Sequence, residues 1–290
     1  MKTIRTAQGL RDAVRGARER GSARVGLVPT MGALHEGHLS LVRAARRDCD
    51  LIVMSIFVNP KQFTEAVDLE GYPRQEAADA ALAAAAGVDV LFAPEASELY
   101  PEGFATTVHV AGPVTETLEG AGRGPAHFDG VATVVSKLLL VSGADRAYFG
   151  QKDAQQLMVV RRMVADLGIR TDIVACTTVR DSDGLAMSSR NVRLNGEDRA
   201  RATAIPRALE AVEAALALGE TDVEALHARA GAVLAAAGIT PEYVAFVDAH
   251  SFLPAHEIGE PVLCAIAARV GSVRLIDNTV LTLPEPSEER

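Results

Sequence analysis

The sequence has few cysteines, no long apolar run and no excess of positive charge, and each shortage excludes a class of protein. Its three cysteines, Cys49, Cys176 and Cys264, are far apart and form no CxxC pair. Neither a disulfide framework nor a cysteine zinc site is indicated, and three buried thiols in a reducing cytosol are expected. No apolar run approaches the roughly 18 residues that a membrane helix needs, and residues 1–21 are too polar for a signal peptide. We therefore expect a cytoplasmic protein without a membrane segment.

The charge balance opposes binding to nucleic acid. The formal net charge is −9, whereas non-specific affinity for nucleic acid comes mostly from Lys and Arg that neutralise phosphates. The composition, 48% hydrophobic and 23% charged, is typical of an ordinary globular protein. A length of 290 residues favours one large domain with a smaller companion.

Residues 1–178 are predicted to form an α/β domain. Short apolar runs alternate with amphipathic helical stretches, and the runs lie at 24–29, 51–58, 88–92, 147–149 and 173–176. The continuous run at 51–58 is typical of a strand covered by helices on both faces. Strands that alternate with helices predict a doubly wound parallel sheet.

Residues 179–290 are predicted to form a smaller α+β domain. Asn195 and Thr221 resemble the starts of two long alanine-rich helices, because each is followed three residues later by an acidic residue. Strand-like runs follow at 243–248, 262–270 and 273–281. The polar tail at 284–290 is expected to fray.

The first candidate site is His35-Glu36-Gly37-His38, where the first of these strands passes into its helix. Ligands of open α/β sheets bind at the carboxyl ends of strands, and a helix start offers N–H groups to phosphates. A spacing of three residues puts both imidazoles on one helix face, where they could donate hydrogen bonds to a triphosphate. The alternatives are two solvated histidines in a turn, or half of a metal site.

A second candidate follows the strand at 147–149. Lys152 could place a positive charge on a phosphate, Asp153 could cap the next helix, and Gln156 could bind a substrate hydroxyl or carboxylate. The alternative is a simple turn with a helix cap.

A third candidate is the segment 183–191, at the predicted domain boundary. Its consecutive hydroxyls, its arginine and its glycine suit a mobile phosphate clamp, although a polar linker would have a similar composition.

Two weaker candidates complete the set. Gln62, after the strand at 51–58, could bind a substrate hydroxyl or merely close a turn. Arg123 and His127 flank a glycine-rich segment, but it follows no strand and lacks a Walker lysine, so neither a P-loop nor a dinucleotide site is supported.

These segments together resemble the pantothenate synthetases, which are nucleotidyltransferases with an HxGH motif, related in fold to class I aminoacyl-tRNA synthetases. The blocks that carry the resemblance occur in the family's order: PTMGALHEGHLSLV, FVNPKQF, YPR, HFDGV, YFGQKDAQQL, VRDSDGLAMSSRN and LIDN. The resemblance implies a Rossmann-like first domain and a C-terminal lid.

The resemblance also implies a role for each candidate residue. His38 would be the catalytic proton donor, and His35 and Lys152 would assist at the phosphates. The implied ATP contacts are Pro29, Thr30, Met31, Gly32, Ala33, Leu34, His35, Glu36, Gly37, His38, Gly150, Gln151, Lys152, Asp153, Val179, Met187, Ser188, Ser189 and Arg190. Gln62 and Gln156 would contact pantoate, and Gln62 would also contact β-alanine.

The implied activity is an ATP-dependent ligation in a homodimer. Pantoate would be adenylated by ATP, accompanied by Mg²⁺, and the pantoyl-adenylate would then be captured by β-alanine. The chain departs from the family pattern at several places, one of which is Gln151 in place of the commoner glutamate. Gly124 lengthens the usual Arg-Pro-x-His spacing between Arg123 and His127, and of the carboxylates after YPR that accompany the metal only Asp79 clearly survives, with Val67 before Asp68 in place of an acidic residue. No metal ligand is therefore assigned.

Two other functions compete with this one. A nucleotidyltransferase that adenylates a phosphate acceptor in coenzyme biosynthesis would share the histidine motif, but would not predict the pair Gln62 and Gln156. A non-catalytic nucleotide-binding protein with a relic site would not be expected to keep His35, His38, Lys152 and the 187–190 segment together.

Overall fold

The computed structural model describes residues 1–21, 24–63 and 69–283, so Val67, Asp68 and the tail at 284–290 lie outside the described residues. The chain forms two compact units, of which the first is Met1–Val179 and the second begins at Arg180. The sequence prediction placed this boundary one residue earlier.

The first unit contains a parallel sheet that has six strands among the described residues, in the order β1-β4-β3-β2-β5-β6. The strands are β1 Lys2–Ile4, β2 Val25–Thr30, β3 Leu51–Ile56, β4 Val90–Phe92, β5 Arg146–Gly150 and β6 Asp172–Cys176. The helices are α1 Ala7–Glu19, α2 Glu36–Asp48, α3 Glu76–Ala85, α4 Ala96–Leu99, α5 Pro113–Glu116, α6 Glu119–Arg123, α7 Pro125–Ser142 and α8 Ala154–Asp166, with 3₁₀ turns at Pro60–Gln62 and Gln151–Asp153.

Both faces of the sheet are covered, as the continuous apolar run of β3 predicts. Leu27 of β2 packs into a core with residues of α1, α7 and α8, while the next residue, Val28, packs with residues of α2 and α3. Successive strand residues point to opposite faces, so this division places helices on both sides. The prediction of a doubly wound parallel sheet is confirmed.

The edge strand β1 was not predicted from the sequence. It has three residues, pairs with β4 from Lys2↔Val90 to Ile4↔Phe92, and buries only Ile4. An edge strand with one buried side chain carries no apolar run, so the sequence pattern does not distinguish it from a polar N-terminal segment.

The second unit packs helices on an antiparallel sheet. Its helices are α9 Gly196–Ala202, α10 Ala204–Ala217 and α11 Val223–Ala236, with a 3₁₀ turn at Asn191–Arg193. Its strands pair in the order β7 Pro241–Asp248, β8 Val262–Val270 and β9 Val273–Leu281. The prediction of a small α+β domain is confirmed.

Two predicted helix starts need correction. Asn195 does cap a helix, because its side chain accepts the Asp198 N–H at 2.8 Å. That helix is short, however, and Thr203 separates it from α10. The cap of α11 is Asp222 rather than Thr221, since Asp222 accepts the N–H groups of Glu224 and Ala225.

Candidate active site

The sheet order reverses between β2 and β5. The chain leaves β2 for β3 on one side, whereas β5 pairs with the other side of β2 through Gly26↔Arg146 and Leu27↔Ala147. Open parallel sheets bind ligands at the carboxyl edge beside such a reversal. The loop 31–35 follows β2 at this edge, and the turn Gln151–Asp153 follows β5. The first two candidate motifs therefore begin at neighbouring strand ends.

The loop after β2 is held by a buried carboxylate on α3. Asp79, 1% exposed, accepts the N–H of Ala33 through Oδ2 at 2.9 Å and the N–H of Leu34 through Oδ1 at 2.8 Å. Gly32 and Ala33 have left-handed φ values of 84° and 50°, and a Cβ on Gly32 would lie 2.9 Å from Asp79 Oδ2. Glycine is thus required where the loop turns against the carboxylate. These two N–H groups donate to Asp79, and the ATP contact implied for Ala33 and Leu34 stays a prediction.

His35 and His38 meet at the start of α2, as their spacing predicts. His35 is the N-cap residue, and the ring centroids are 4.1 Å apart. The Gly37 N–H donates to His35 Nδ1 at 3.2 Å, and the His35 N–H donates to His38 Nδ1 at 3.4 Å. Because Nδ1 is the acceptor in both rings, the neutral form of each carries its proton on Nε2. The helix start thereby fixes the tautomers.

The surroundings of His38 favour its neutral form. Desolvation of the ring, with the neighbouring His35 and then Lys152, lowers the pKa of His38 to about 3, against the opposing effect of Asp153. A neutral imidazole with a proton on Nε2 is a hydrogen-bond donor at neutral pH but not an imidazolium acid. The histidine predicted as a proton donor is thus built to donate a hydrogen bond.

Lys152 lies in the turn after β5, with its side chain 16% exposed and Nζ 3.7 Å from Asp153 Oδ1. Strands β2 and β5 are neighbours, and the Lys152 charge contributes to the lowered pKa of His38. Asp153 occupies the N-cap position of α8, but among the described residues its side chain accepts no capping hydrogen bond, which corrects the predicted cap.

The two glutamines predicted to bind substrate lie on different elements, Gln62 in the 3₁₀ turn Pro60–Gln62 and Gln156 in α8. Gln62 is fixed at both ends, because Asn59 Nδ2 donates to its Oε1 at 3.0 Å and its Nε2 lies 2.8 Å from Met31 Sδ. Gln156 is half-buried in the first turn of α8. Its neighbour Gln155 is a structural residue, since it binds the backbone of Val114, Thr117 and Glu119.

Arg123 and His127 are already engaged with the protein. Arg123 Nε donates to Glu119 Oε2 at 3.0 Å within α6. His127 Nδ1 donates to the carbonyl of Gln62 at 2.8 Å, and desolvation lowers the pKa of His127. His127 therefore supports the turn that carries Gln62.

The predicted clamp residues belong to the second unit, and Val179 is the last residue of the first. Within the second unit, Arg180 donates to Asp277 at 2.6 and 3.2 Å, and Arg199 donates to Asp181 and Asp183. The stretch that precedes Met187, Ser188, Ser189 and Arg190 is thus anchored to a strand and a helix of this unit.

Each of the remaining predicted residues has a definite place in the first unit. Pro29 and Thr30 end β2, the Thr30 hydroxyl donates to the Ser55 carbonyl at 2.6 Å, and Gly150 ends β5. Glu36 opens α2 and is exposed. Among the described residues, no group of three or more His, Cys, Asp or Glu could hold a metal ion. No helix in the described ranges is long and apolar enough to cross a membrane.

Comparisons with known proteins agree with this geometry. A family model described as pantoate-beta-alanine ligase matches residues 2–280. The chain is 54% identical over 275 residues to a pantothenate synthetase of Cereibacter sphaeroides, covering 95% of this chain and 98% of that protein.

Solved structures agree as well. A crystal structure of pantothenate synthetase from Thermus thermophilus has a TM-score of 0.90 at 46% identity, covering 96% of this chain and 99% of that one. A pantoate-beta-alanine ligase from Francisella tularensis, complexed with beta-gamma ATP and β-alanine, has a TM-score of 0.78 at 32% identity, covering 97% of both chains.

These matches support the predicted ligase over a nucleotidyltransferase with a phosphate acceptor. They span both units, so the resemblance is not confined to the HxGH motif. The chain belongs to the pantoate-beta-alanine ligase family.

Proposed function

We propose that this chain uses ATP to adenylate the carboxylate of pantoate and then transfers the pantoyl group to the amine of β-alanine. The observation that carries the proposal is the convergence of His35, His38 and Lys152 where the sheet order reverses between β2 and β5. This arrangement offers N–H donors and one ammonium to a triphosphate at the place where such sheets bind ligands.

In the first step a carboxylate oxygen of pantoate attacks the α-phosphorus of ATP. The bond from that phosphorus to the bridging oxygen breaks, and pyrophosphate leaves with the electron pair. His38, neutral and protonated on Nε2, donates a hydrogen bond to the developing negative charge, while Lys152 supplies a positive charge. His35, which carries the same tautomer, assists beside it.

In the second step the unprotonated amine of β-alanine attacks the carbonyl carbon of the mixed anhydride. The bond from that carbon to the phosphate oxygen breaks, AMP leaves, and the new amide nitrogen loses a proton. Gln62 and Gln156 orient pantoate, and Gln62 also contacts β-alanine. Ser188, Ser189 and Arg190 of the second unit bind the phosphates, and this unit acts as a lid that excludes water.

The described residues do not form a dedicated cage for Mg²⁺. Both carboxylate oxygens of Asp79, the acidic residue that survives after YPR, already accept backbone N–H groups. We therefore expect the metal to enter with ATP, held mainly by phosphate oxygens and water, as Mg²⁺ often is. No step of the mechanism is assigned to it.

The proposal includes a cytoplasmic homodimer, as the family resemblance suggests. The three cysteines are free thiols, which agrees with a reducing compartment, although Cys176 is half-buried rather than buried as expected. Light scattering at several protein concentrations measures the subunit number directly.

The test is the dependence of AMP formation on both acceptors. Purified protein should form AMP from ATP only when pantoate and β-alanine are both present, while pantoate alone should promote exchange of labelled pyrophosphate into ATP. AMP formation that is indifferent to β-alanine would refute the ligase.

The matched variants are His38→Ala and His227→Ala. His38→Ala should lower kcat/KM by about 10²-fold or more, the effect of losing a positioned donor at the reacting charge. His227 is exposed on α11, and its variant should keep full activity. Normal turnover of His38→Ala would remove His38 from the mechanism.

A further inference from the structure

The amide of Asn59 has one orientation, which two backbone groups and the Tyr100 hydroxyl support together. Asn59 is 1% exposed and follows β3. Its Oδ1 accepts the Lys61 N–H at 3.3 Å, and its Nδ2 donates to the Gly130 carbonyl at 3.0 Å. A backbone N–H can only donate and a carbonyl can only accept, so a flipped amide would lose both hydrogen bonds.

The orientation of Asn59 determines that of Gln62. Asn59 Nδ2 lies 3.0 Å from Gln62, and since an NH₂ group only donates, the atom that faces it must be Gln62 Oε1. The opposite end, Nε2, is then a donor that lies 2.8 Å from Met31 Sδ. A thioether sulfur is a weak acceptor, so a carboxylate or hydroxyl oxygen of a substrate is a better partner for this N–H group.

Tyr100 stands at the far end of this chain of hydrogen bonds. Its hydroxyl donates to Asn59 Oδ1 at 2.8 Å, and Oδ1 can only accept. Its ring is supported on two sides, with centroids 6.1 Å from Phe57 and 5.1 Å from Phe104. Desolvation raises the pKa of Tyr100, so the hydroxyl keeps its proton throughout the physiological range.

We propose that Tyr100 is a positioning residue for the acid substrate: its hydroxyl holds Asn59, and Asn59 holds Gln62 with its N–H donors turned toward pantoate. The relay crosses 41 residues of sequence from Tyr100 to Asn59 and ends three residues later at Gln62. It rests on the proposed function, because it takes the pantoate contact of Gln62 from there.

The decisive variant is Tyr100→Phe, which keeps the ring and removes only the hydroxyl. The KM for pantoate should rise about 5- to 30-fold, the range expected for losing one buried hydrogen bond that orients a binding group. The KM for ATP should stay within about twofold, because the ATP contacts lie on other segments. The matched control is Tyr148→Phe, which also removes a buried hydroxyl, one that donates to Asp48 at 3.0 Å, and it should leave the KM for pantoate unchanged.

A double-mutant cycle separates positioning from general damage. If Tyr100 acts through Gln62, Tyr100→Phe should have no further effect on pantoate when Gln62 is already alanine. If turnover of the double variant is too slow, the same cycle is measured as pantoate binding by calorimetry in the presence of a non-hydrolysable ATP analogue.

Three results would overturn the inference: an unchanged KM for pantoate in Tyr100→Phe, an equal rise in the KM for ATP, or effects of Tyr100→Phe and Gln62→Ala that simply add. None of these is confused with a failure of the proposed function. In that case the wild-type protein itself would form no AMP from pantoate, β-alanine and ATP.

Discussion

The carboxylate of Asp79 should control both the stability of the first unit and its affinity for ATP. Asp79 accepts two backbone N–H groups of the loop that precedes His35 and His38, through different oxygens and at 2.9 and 2.8 Å. In Asp79→Asn one oxygen becomes an NH₂ group, so a donor faces a backbone donor. One buried N–H then loses its partner.

The magnitude follows from the burial of the pair. A hydrogen bond to a charged acceptor contributes about 1.5–3 kcal/mol, and a buried donor without a partner costs about 1–3 kcal/mol. The two contributions describe the same lost contact and are not added in full. We therefore expect Asp79→Asn to lower the free energy of unfolding by about 2–4 kcal/mol. The left-handed backbone at Gly32 and Ala33 should also relax, and the KM for ATP should rise about tenfold or more because the histidines lose their support.

Urea unfolding measures the first effect and ATP-dependent kinetics the second. Hydrogen exchange gives a local measure, since the amides of Ala33 and Leu34 should lose protection first. The control is Glu76→Gln on the same helix, where an exposed ion pair with Arg5 is removed at a cost of at most about 1 kcal/mol. Wild-type stability and a wild-type KM for ATP in Asp79→Asn would refute this account of the loop.

Three further predictions concern His38, Gly130 and Asp277. Because the pKa of His38 is lowered to about 3, the folded protein binds fewer protons than the unfolded chain between about pH 3 and 6.5, so stability should fall as the pH falls through this window. Urea titrations should show that slope reduced in His38→Asn, and an unchanged slope would contradict the assignment. Gly130→Ala places a Cβ 2.2 Å from the carbonyl of Lys61, so it should raise the KM for pantoate and cost about 1–3 kcal/mol, whereas Gly122→Ala meets no atom within 4 Å among the described residues and should be neutral in both assays. Asp277→Ala removes the buried acceptor of Arg180, whose side chain is 34% exposed, and should cost about 1.5–3 kcal/mol by urea unfolding, with wild-type stability arguing against the pair.

The strands and the motifs at their ends were readable because both are local features. The run at 51–58 predicts a buried strand, and HEGH after another strand predicts two histidines at a helix start. Their ring contact of 4.1 Å follows from three-residue spacing on a helix. The resemblance to the family lies in the order of several such blocks, which is also a property of the sequence alone.

The supports of the site were not readable in the same way, because they depend on pairs of residues far apart in the chain. Asp79 lies 46 residues from Ala33, and Tyr100 lies 41 residues from Asn59. The pattern marked Asp79 only as a surviving acidic residue, and its role as a backbone acceptor requires the packing of α3 beside the β2 loop. The tautomer of His38 depends on a hydrogen bond within the helix start, which composition does not encode.

These hydrogen bonds have one consequence in common. The His38 imidazole and the Gln62 amide can each donate or accept, and in both groups the acceptor atom is already bound within the protein, which leaves an N–H donor. The hydrogen bonds at the start of α2 leave the proton of His38 on Nε2. The partners of Asn59 leave the Gln62 N–H groups on the side of Met31. Lys152 adds three donors that need no orientation of this kind. The reacting ends of the proposed substrates, a triphosphate and a carboxylate, consist of acceptors only. A site of fixed donors therefore suits the triphosphate and the carboxylate. A flipped amide or imidazole would instead place an acceptor atom against an anion.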